Sequence, residues 1–375
     1  MNLLKDVWYC AGWSTDVAEE PVHRKILGED LVLFRDSKGK VQAISDKCPH
    51  RFAPLHQGKV MGDAIACPYH GLRFDGTGTC VLNPHGSGQV PPGPHVAAYP
   101  LEERNGTLWI WMGDKAKADP DQIIDTGFML DRQNFNGLVD HHVIAGNYML
   151  VVDNLLDLTH AQFLHPETVF GIASHDRWHV NLDGGPKAGE EELQEVWFEE
   201  SPDSLTVHQV MREKKQPPLW DPIVNYGDDT TVTSHITWFA PSNMDLTIEL
   251  DGKTADKPMA TMRVMHFMTP IDELSCYYFV GVFWDTNIHD EAAVDGVRAI
   301  VLQTLSEEDG PMIEKCQTYM GETTDLFSLR PLLLQTDGIA IKARRRMDKI
   351  LAAAQAADSA NTDTPSEVAT AVAAE

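Results

Sequence analysis

The amino-acid sequence describes an α+β protein: an all-β N-terminal domain, then a larger α+β domain with an antiparallel sheet flanked by helices. Three features carry that reading. Residues 1 to about 115 hold short apolar runs broken by Gly, Pro, Asn and Asp; the stretch 116–122 (AKADPDQ) is polar; the remainder mixes strand-like runs with long segments of helical spacing. The expected divisions are 1–118, 119–357 and a small, polar tail, 358–375, expected to be disordered.

In the first part, Asp30–Phe34 (DLVLF), Val41–Ser45 (VQAIS) and Thr107–Met112 (TLWIWM) read as strands. Phe74–Val81 (FDGTGTCV) reads as a hairpin turning at Asp75-Gly76 or Thr77-Gly78. Asn83–His95 is a Pro/Gly loop. In the second part, Tyr148–His160 reads as a helix, and strands are expected over Glu192–Glu199, Leu205–Met211, Thr230–Phe239, Thr261–Met268 and Tyr277–Phe283. Ala292–Met320 carries apolar residues at helical spacing, and Asp337–Ala357 predicts a final helix.

Composition narrows the function. With 375 residues, 43% of them hydrophobic, the chain can bury a substantial core. A formal charge of −26 disfavours nucleic acid and anionic membranes as partners. No run of eighteen apolar residues predicts a membrane span, and the N-terminus lacks the apolar core of a signal peptide, so a cytoplasmic protein is expected. Six cysteines spread over such a chain favour free thiols and metal ligands over disulfides.

Four of these ligand-type residues form a pattern. Cys48-Pro-His50 and Cys67-Pro-Tyr-His70 each offer one thiol and one imidazole, with sixteen residues between the two pieces. A zinc site would usually take its cysteines as one close pair and its histidines as another. One thiol and one imidazole per loop suits a two-iron, two-sulfide cluster, one iron holding both thiolates and the other both imidazoles. Neutral imidazoles in place of thiolates raise the reduction potential. Cys10, Cys80, Cys276 and Cys316 have no such partners and are expected to be buried small hydrophobes.

A second set lies in DNLLDLTHAQFLH, Asp153–His165. On a helix Asn154, Asp157 and His160 would share one face, and Pro166 would end the helix near Leu164, freeing His165 to fold back towards His160. Two histidines and one carboxylate make the facial triad of non-haem iron(II) oxygenases. Asp295 is the first choice for the carboxylate, with Asp290 and Asp285 as alternatives. Asp157 could orient His160 through its imidazole N–H, and Asn154 could serve as a polar neighbour of the metal or substrate. Trp220, Asn225, Tyr226, His266 and Trp284 are candidate pocket residues, though aromatics are more often core.

VWYCAGW, CPHRFAPL, CPYHGLRFDGTGTCVLNPHGSG and NYMLVVDNLLDLTHAQFLH together resemble the Rieske non-haem iron oxygenase α-subunits. More narrowly, they resemble the group that contains dicamba monooxygenase and the vanillate O-demethylase oxygenase component. The resemblance covers nearly the whole chain. It implies that Cys48, His50, Cys67 and His70 bind a Rieske [2Fe–2S] cluster, and that His160, His165 and Asp295 bind a mononuclear Fe(II). It further implies a head-to-tail homotrimer in which Asp157 bridges His70 of one subunit and His160 of the next. Electrons would come from NAD(P)H through a separate reductase, since no nicotinamide-binding glycine motif is present. O2 would be the co-substrate and a small aromatic compound the target. The implied reaction is oxidative O-demethylation of a methoxylated aromatic acid, with hydroxylation of a methyl group or ring as the alternative.

Overall fold

The computed structural model describes residues 3–90, 96–169, 179–181 and 194–362. Its first part holds β1 (Trp8–Trp13), β2 (Val22–Ile26), β3 (Glu29–Arg35), β4 (Val41–Ser45), β5 (Lys59–Met61), β6 (Ala64–Ala66), β7 (Arg73–Asp75), β8 (Cys80–Leu82), β9 (Ala98–Tyr99), β10 (Leu101–Arg104) and β11 (Thr107–Trp111). These form three small sheets, ordered β1-β11-β10, β2-β3-β4-β9 and β5-β6-β7-β8.

β3 explains how the sheets stack. Its run Leu31-Val32-Leu33-Phe34 is apolar without alternation because all four residues are fully buried. Leu31 and Leu33 pack with Tyr9, Leu108 and Ile110, while Val32 and Phe34 pack with Ile65, Phe74 and the two cysteines Cys48 and Cys67. One strand thus supports both the N-terminal core and the loops that carry the thiols. The β7–β8 hairpin takes in both candidate turn dipeptides, and the Asp75 carboxylate accepts from Thr77 and Thr79 main-chain N–H groups.

The second part holds β12 (Asn136–Ile144), α1 (Tyr148–Leu156), α2 (Ala161–Leu164), β13 (His179–Asn181), β14 (Gln194–Glu200), β15 (Ser204–Lys214), β16 (Thr230–Phe239), β17 (Asn243–Asp251), β18 (Ala260–Asp272), β19 (Ser275–Trp284), α3 (Glu291–Gln303), α4 (Gly310–Met320) and α5 (Gly338–Thr362). The strands form one sheet in the order β12-β19-β18-β17-β16-β15-β14-β13, antiparallel except for the β13–β14 pair. β12 and β17 are additions to the sequence reading. The expected strand from Glu192 begins at Gln194, its first two residues lying outside the described set. α5 runs to Thr362, past the expected end at Ala357, and the tail from 363 lies outside the described residues. No helix is long and apolar enough to cross a membrane among the described residues.

The two faces of the large sheet have different tasks. One carries Leu246, Ile248, Val264 and Val282 into the main core beneath the helices. The other presents Met265, Phe267, Phe279 and Phe283 to Trp13, Trp109 and Trp111 of the N-terminal sheet. Trp109 meets Phe267 edge-on with ring centroids 5.1 Å apart. The main chain joins the halves as well, with Leu27 and Gly28 N–H groups donating to Pro270 and Ile271 carbonyls at 3.0 and 2.7 Å. Trp109→Ala is expected to cost about 3–5 kcal/mol, because the vacated volume lies between two rigid sheets. A shift in the denaturant midpoint of the variant measures this, and an unchanged midpoint refutes the role of this contact.

Candidate active site

The two cysteine loops have the same local construction. Cys48 N–H donates to Ala53 and its carbonyl accepts from Phe52; Cys67 N–H donates to Leu72 and its carbonyl accepts from Gly71. The residue four past each cysteine is left-handed, Phe52 at φ +60° and Gly71 at φ +71°. Each turn therefore reverses over its own cysteine. His50 and His70 come together with ring centroids 4.5 Å apart, and both thiols are buried at 1% and 4% exposure. Burial and the adjacent Cys67 thiol push the Cys48 thiol up to about 11. Two buried thiols side by side, opposite an exposed and a half-buried imidazole, form a donor set that needs a metal cation to hold the sulfurs as thiolates. The residues fit a Rieske cluster.

The other cysteines divide. Cys10 and Cys276 are buried, and burial pushes both thiols up, in keeping with inert core residues. Cys80 is only half-buried and Cys316 is exposed, contrary to expectation. Cys316 lies on a half-exposed helix beside a surface groove.

The second constellation depends on two helix irregularities. α1 stops at Leu156, and Asp157 (φ −106°, ψ 82°) leaves the helical region to cap a short 3-10 turn, Leu158–His160, accepting from Thr159 N–H at 3.0 Å. The continuous helix expected over 148–160 is thus interrupted. His165 ends α2 outside the helical region, at φ −120° and ψ 42°, immediately before Pro166. It folds back so that the His160 and His165 rings lie 5.2 Å apart.

The carboxylate that meets them is Asp309, not Asp295. Asp309 Oδ1 lies 3.1 Å from His165 Nε2 and 3.6 Å from His160 Nε2. Asp295 sits within α3; Asp290 caps that helix through Ala292 N–H, and Asp285 accepts from Thr261 N–H. The physical reason is a break in the helical segment after β19. α3 gives way at Thr304 to a π-turn, Thr304–Asp309, closed by Gly310 N–H on Leu305 O. A Cβ at residue 310 would lie 2.4 Å from that oxygen, so glycine is required there. The wider turn lets two successive residues reach one ring: Glu308 accepts from His165 Nδ1 at 2.7 Å while Asp309 meets Nε2. The dipeptide Gly310-Pro311 was the available signal for the break.

The neighbours orient this triad. His160 Nδ1 donates to the main-chain carbonyl of Asp157 at 2.5 Å, so that residue's carbonyl, rather than its carboxylate, sets the ring. With both Nδ1 atoms engaged, both Nε2 atoms face Asp309. Asn154 donates to Asp309 Oδ1 at 3.0 Å. Below it, Arg344 from α5 forks onto Asp153, with Nε 3.1 Å from Oδ1 and Nη2 2.6 Å from Oδ2, and so fastens α1. Two imidazoles and one carboxylate converging on one point fit an iron(II) ion.

Beside the triad lies an apolar pocket. Leu155, Leu246, Val264, Val280, Val282 and Leu305 make its walls apolar. His266 is the one expected pocket residue that lines it; Trp220 and Trp284 lie in the core, Tyr226 is tied to Pro258 O, and Asn225 is exposed. Burial lowers His266 to about 3 and raises the Tyr278 hydroxyl well above its ordinary value, so both groups are neutral. Tyr278 OH is 2.7 Å from His266 Nδ1. With the hydroxyl donating there, the proton of the imidazole sits on Nε2, which has no partner among the described residues.

Comparison with known proteins agrees with this geometry. Residues 7–100 match the Rieske [2Fe-2S] domain model, and residues 144–353 match the vanillate O-demethylase oxygenase C-terminal domain model. The chain belongs to the vanillate O-demethylase oxygenase family. A dicamba O-demethylase oxygenase component from Stenotrophomonas maltophilia is 33% identical over 93% of this chain and 98% of its own length. A chloroacetanilide N-alkylformylase oxygenase component from Rhizorhabdus wittichii (strain DC-6 / KACC 16600) is 34% identical over 92% and 94%. A crystal structure of dicamba monooxygenase with non-heme iron and dicamba superimposes with a TM-score of 0.76 at 29% identity, covering 95% of this chain and 100% of that one. Like its family, this chain is the oxygenase component of a Rieske system, an oxidoreductase with a [2Fe–2S] cluster and a mononuclear iron.

Glu308→Gln is expected to weaken iron retention by about 10–100-fold, because the imidazole loses its anionic acceptor. Iron content after dialysis against a graded chelator measures it, with wild-type retention as the refuting result. Burial alone would lower His165, but the hydrogen bonds to Asp309 and Glu308 outweigh it and raise this histidine. A raised value means that the proton competes with metal to higher pH. Iron uptake by the metal-stripped protein should therefore strengthen as pH rises through and beyond the ordinary histidine range, and weaken below it. Uptake independent of pH from 5 to about 8 would contradict this.

Proposed function

We propose that this chain catalyses monooxygenation of a small aromatic acid, by O-demethylation of a methoxy substituent, with His160, His165 and Asp309 holding the iron and Cys48, His50, Cys67 and His70 the cluster. The observation that carries the reading is the apolar cavity with the triad on its boundary and His266, whose Nε2 has no partner among the described residues, in its lining. When bound, the iron supplies the oxidation of a C–H bond by O2 with electrons delivered from the cluster. Everything else falls to the chain. The aliphatic walls exclude water and hold a flat ring. Nε2–H of His266 donates to a carboxylate or other acceptor on that ring, which fixes the substrate's orientation. Asn154 and Glu308 keep the donor atoms of Asp309 and His165 in place.

Electron delivery is assigned to a head-to-tail homotrimer. Phe52 and Tyr69 on the cysteine loops are 68% and 64% exposed. A groove beside His160 and Asp157 is lined by Leu326, Phe327, Leu332 and Leu333, and Leu332 is 88% exposed. Apolar tips and an apolar groove suit each other across a ring-closing interface. Asp157, at the edge of that groove, would accept from His70 of the neighbouring subunit while its carbonyl holds His160. A separate reductase, drawing on NAD(P)H, would reduce the cluster.

Two measurements test this. With methoxybenzoic acids, a reductase and O2, the holoprotein should release one formaldehyde per substrate consumed; a hydroxylated product with the methoxy group retained would replace demethylation by the hydroxylation reading. Asp157→Asn should leave the cluster reducible but lower product formation at least about 100-fold, as expected when the connecting acceptor is lost. Full turnover by that variant would exclude the bridge.

A further inference from the structure

A second histidine–carboxylate cluster lies on the N-terminal domain, apart from the cluster ligands. His23 comes from β2, Asp46 from the end of β4 and His56 from the short 3-10 turn Leu55–Gln57. One ring nitrogen from each histidine and one Asp46 oxygen lie within 4.8 Å of one another. The two rings have centroids 4.9 Å apart, closer than the 5.2 Å between His160 and His165. Each imidazole also has its own carboxylate: His23 Nε2 is 2.9 Å from Asp30, and His56 Nδ1 is 2.6 Å from Asp46.

We propose that His23, His56 and Asp46 form a second metal site, one that takes a divalent ion of the zinc, nickel or copper type from solvent. Four observations support it. The donor set, two imidazoles and a carboxylate, suits such ions. Asp46 is the fixed member, its side chain only 6% exposed and its second oxygen held by His56 N–H at 2.6 Å. The histidine side chains are 38% and 29% exposed, so an ion can reach them and keep water in its remaining positions. Two aspartates, Asp30 and Asp46, lie beside the two rings and supply the negative charge that a cation needs, and the carboxylate-to-imidazole contacts are those that orient histidines at metal centres. Since Asp46 N–H is held by Asp30 O, and Asp46 O accepts from Leu55 N–H, an ion here also ties together the base of the first cysteine loop.

The test uses iron-loaded holoprotein and zinc(II), titrated against a coloured chelator, for the wild type, His23→Ala and His23→Gln. Wild type should bind one more zinc per chain than either variant, or bind it at least tenfold more tightly, with the cluster's visible spectrum unchanged in all three. Equal uptake by all three, or no zinc taken up beyond the iron, overturns the site. Copper(II) at one equivalent on the oxidised holoprotein gives a readout that does not depend on the variants. Spin-echo modulation from two imidazoles on one copper supports the site, and modulation from one or none, as scattered surface histidines would give, overturns it.

Discussion

The main-chain bond from Gly310 to Leu305 is the constraint on which the His160–His165–Asp309 cluster depends. An α-helix turns about 100° per residue, so neighbouring side chains such as Glu308 and Asp309 would point apart. Widening the turn by one residue brings both to opposite nitrogens of His165. Glycine at position 310 is the condition for that closure, because a side chain there would strike the accepting carbonyl. The irregularity lets a distant helix offer one carboxylate to each ring nitrogen of the same histidine.

The cavity follows from the sheet. Its walls come from β17, β18 and β19, whose registers place Leu246, Val264 and Val282 in one cross-strand row. The same strands turn aromatic residues to the opposite face, against the tryptophans of the N-terminal sheet. A shift of one residue in register would exchange the two sets. The packing that joins the halves and the lining that receives a substrate are therefore fixed together.

What could be read from the sequence depended on distance along the chain. The cysteine loops were legible because each places thiol, imidazole and turn residues within five positions. The approach of His165 to His160 followed from Pro166, again a local effect. The family and its cofactors were legible from the same segments. Asp309 was not, because an apolar pattern at helical spacing over Ala292–Met320 conceals a π-turn, and Asp295 sits at an equally plausible point of that pattern. The pocket was missed for a different reason. Large aromatics such as Trp220 and Trp284 fill the core, whereas aliphatic residues of three successive strands, and of helices distant from them in sequence, form the lining, and only the tertiary packing identifies them. β12 was missed because its edge sequence, NGLVDHHVI, has little apolar contrast.

The clamp of Arg344 on Asp153 bears on how the protein is made. Synthesis is vectorial and N-terminal units fold first. The strands beneath the cysteine loops are complete once β11 has emerged, less than a third of the way along the chain. The helix bearing Asn154 is fastened only when α5 arrives, near the end. The strands beneath the cysteine loops are thus complete long before the contact that fastens α1 can form, while their packing on β18 and β19 falls in between.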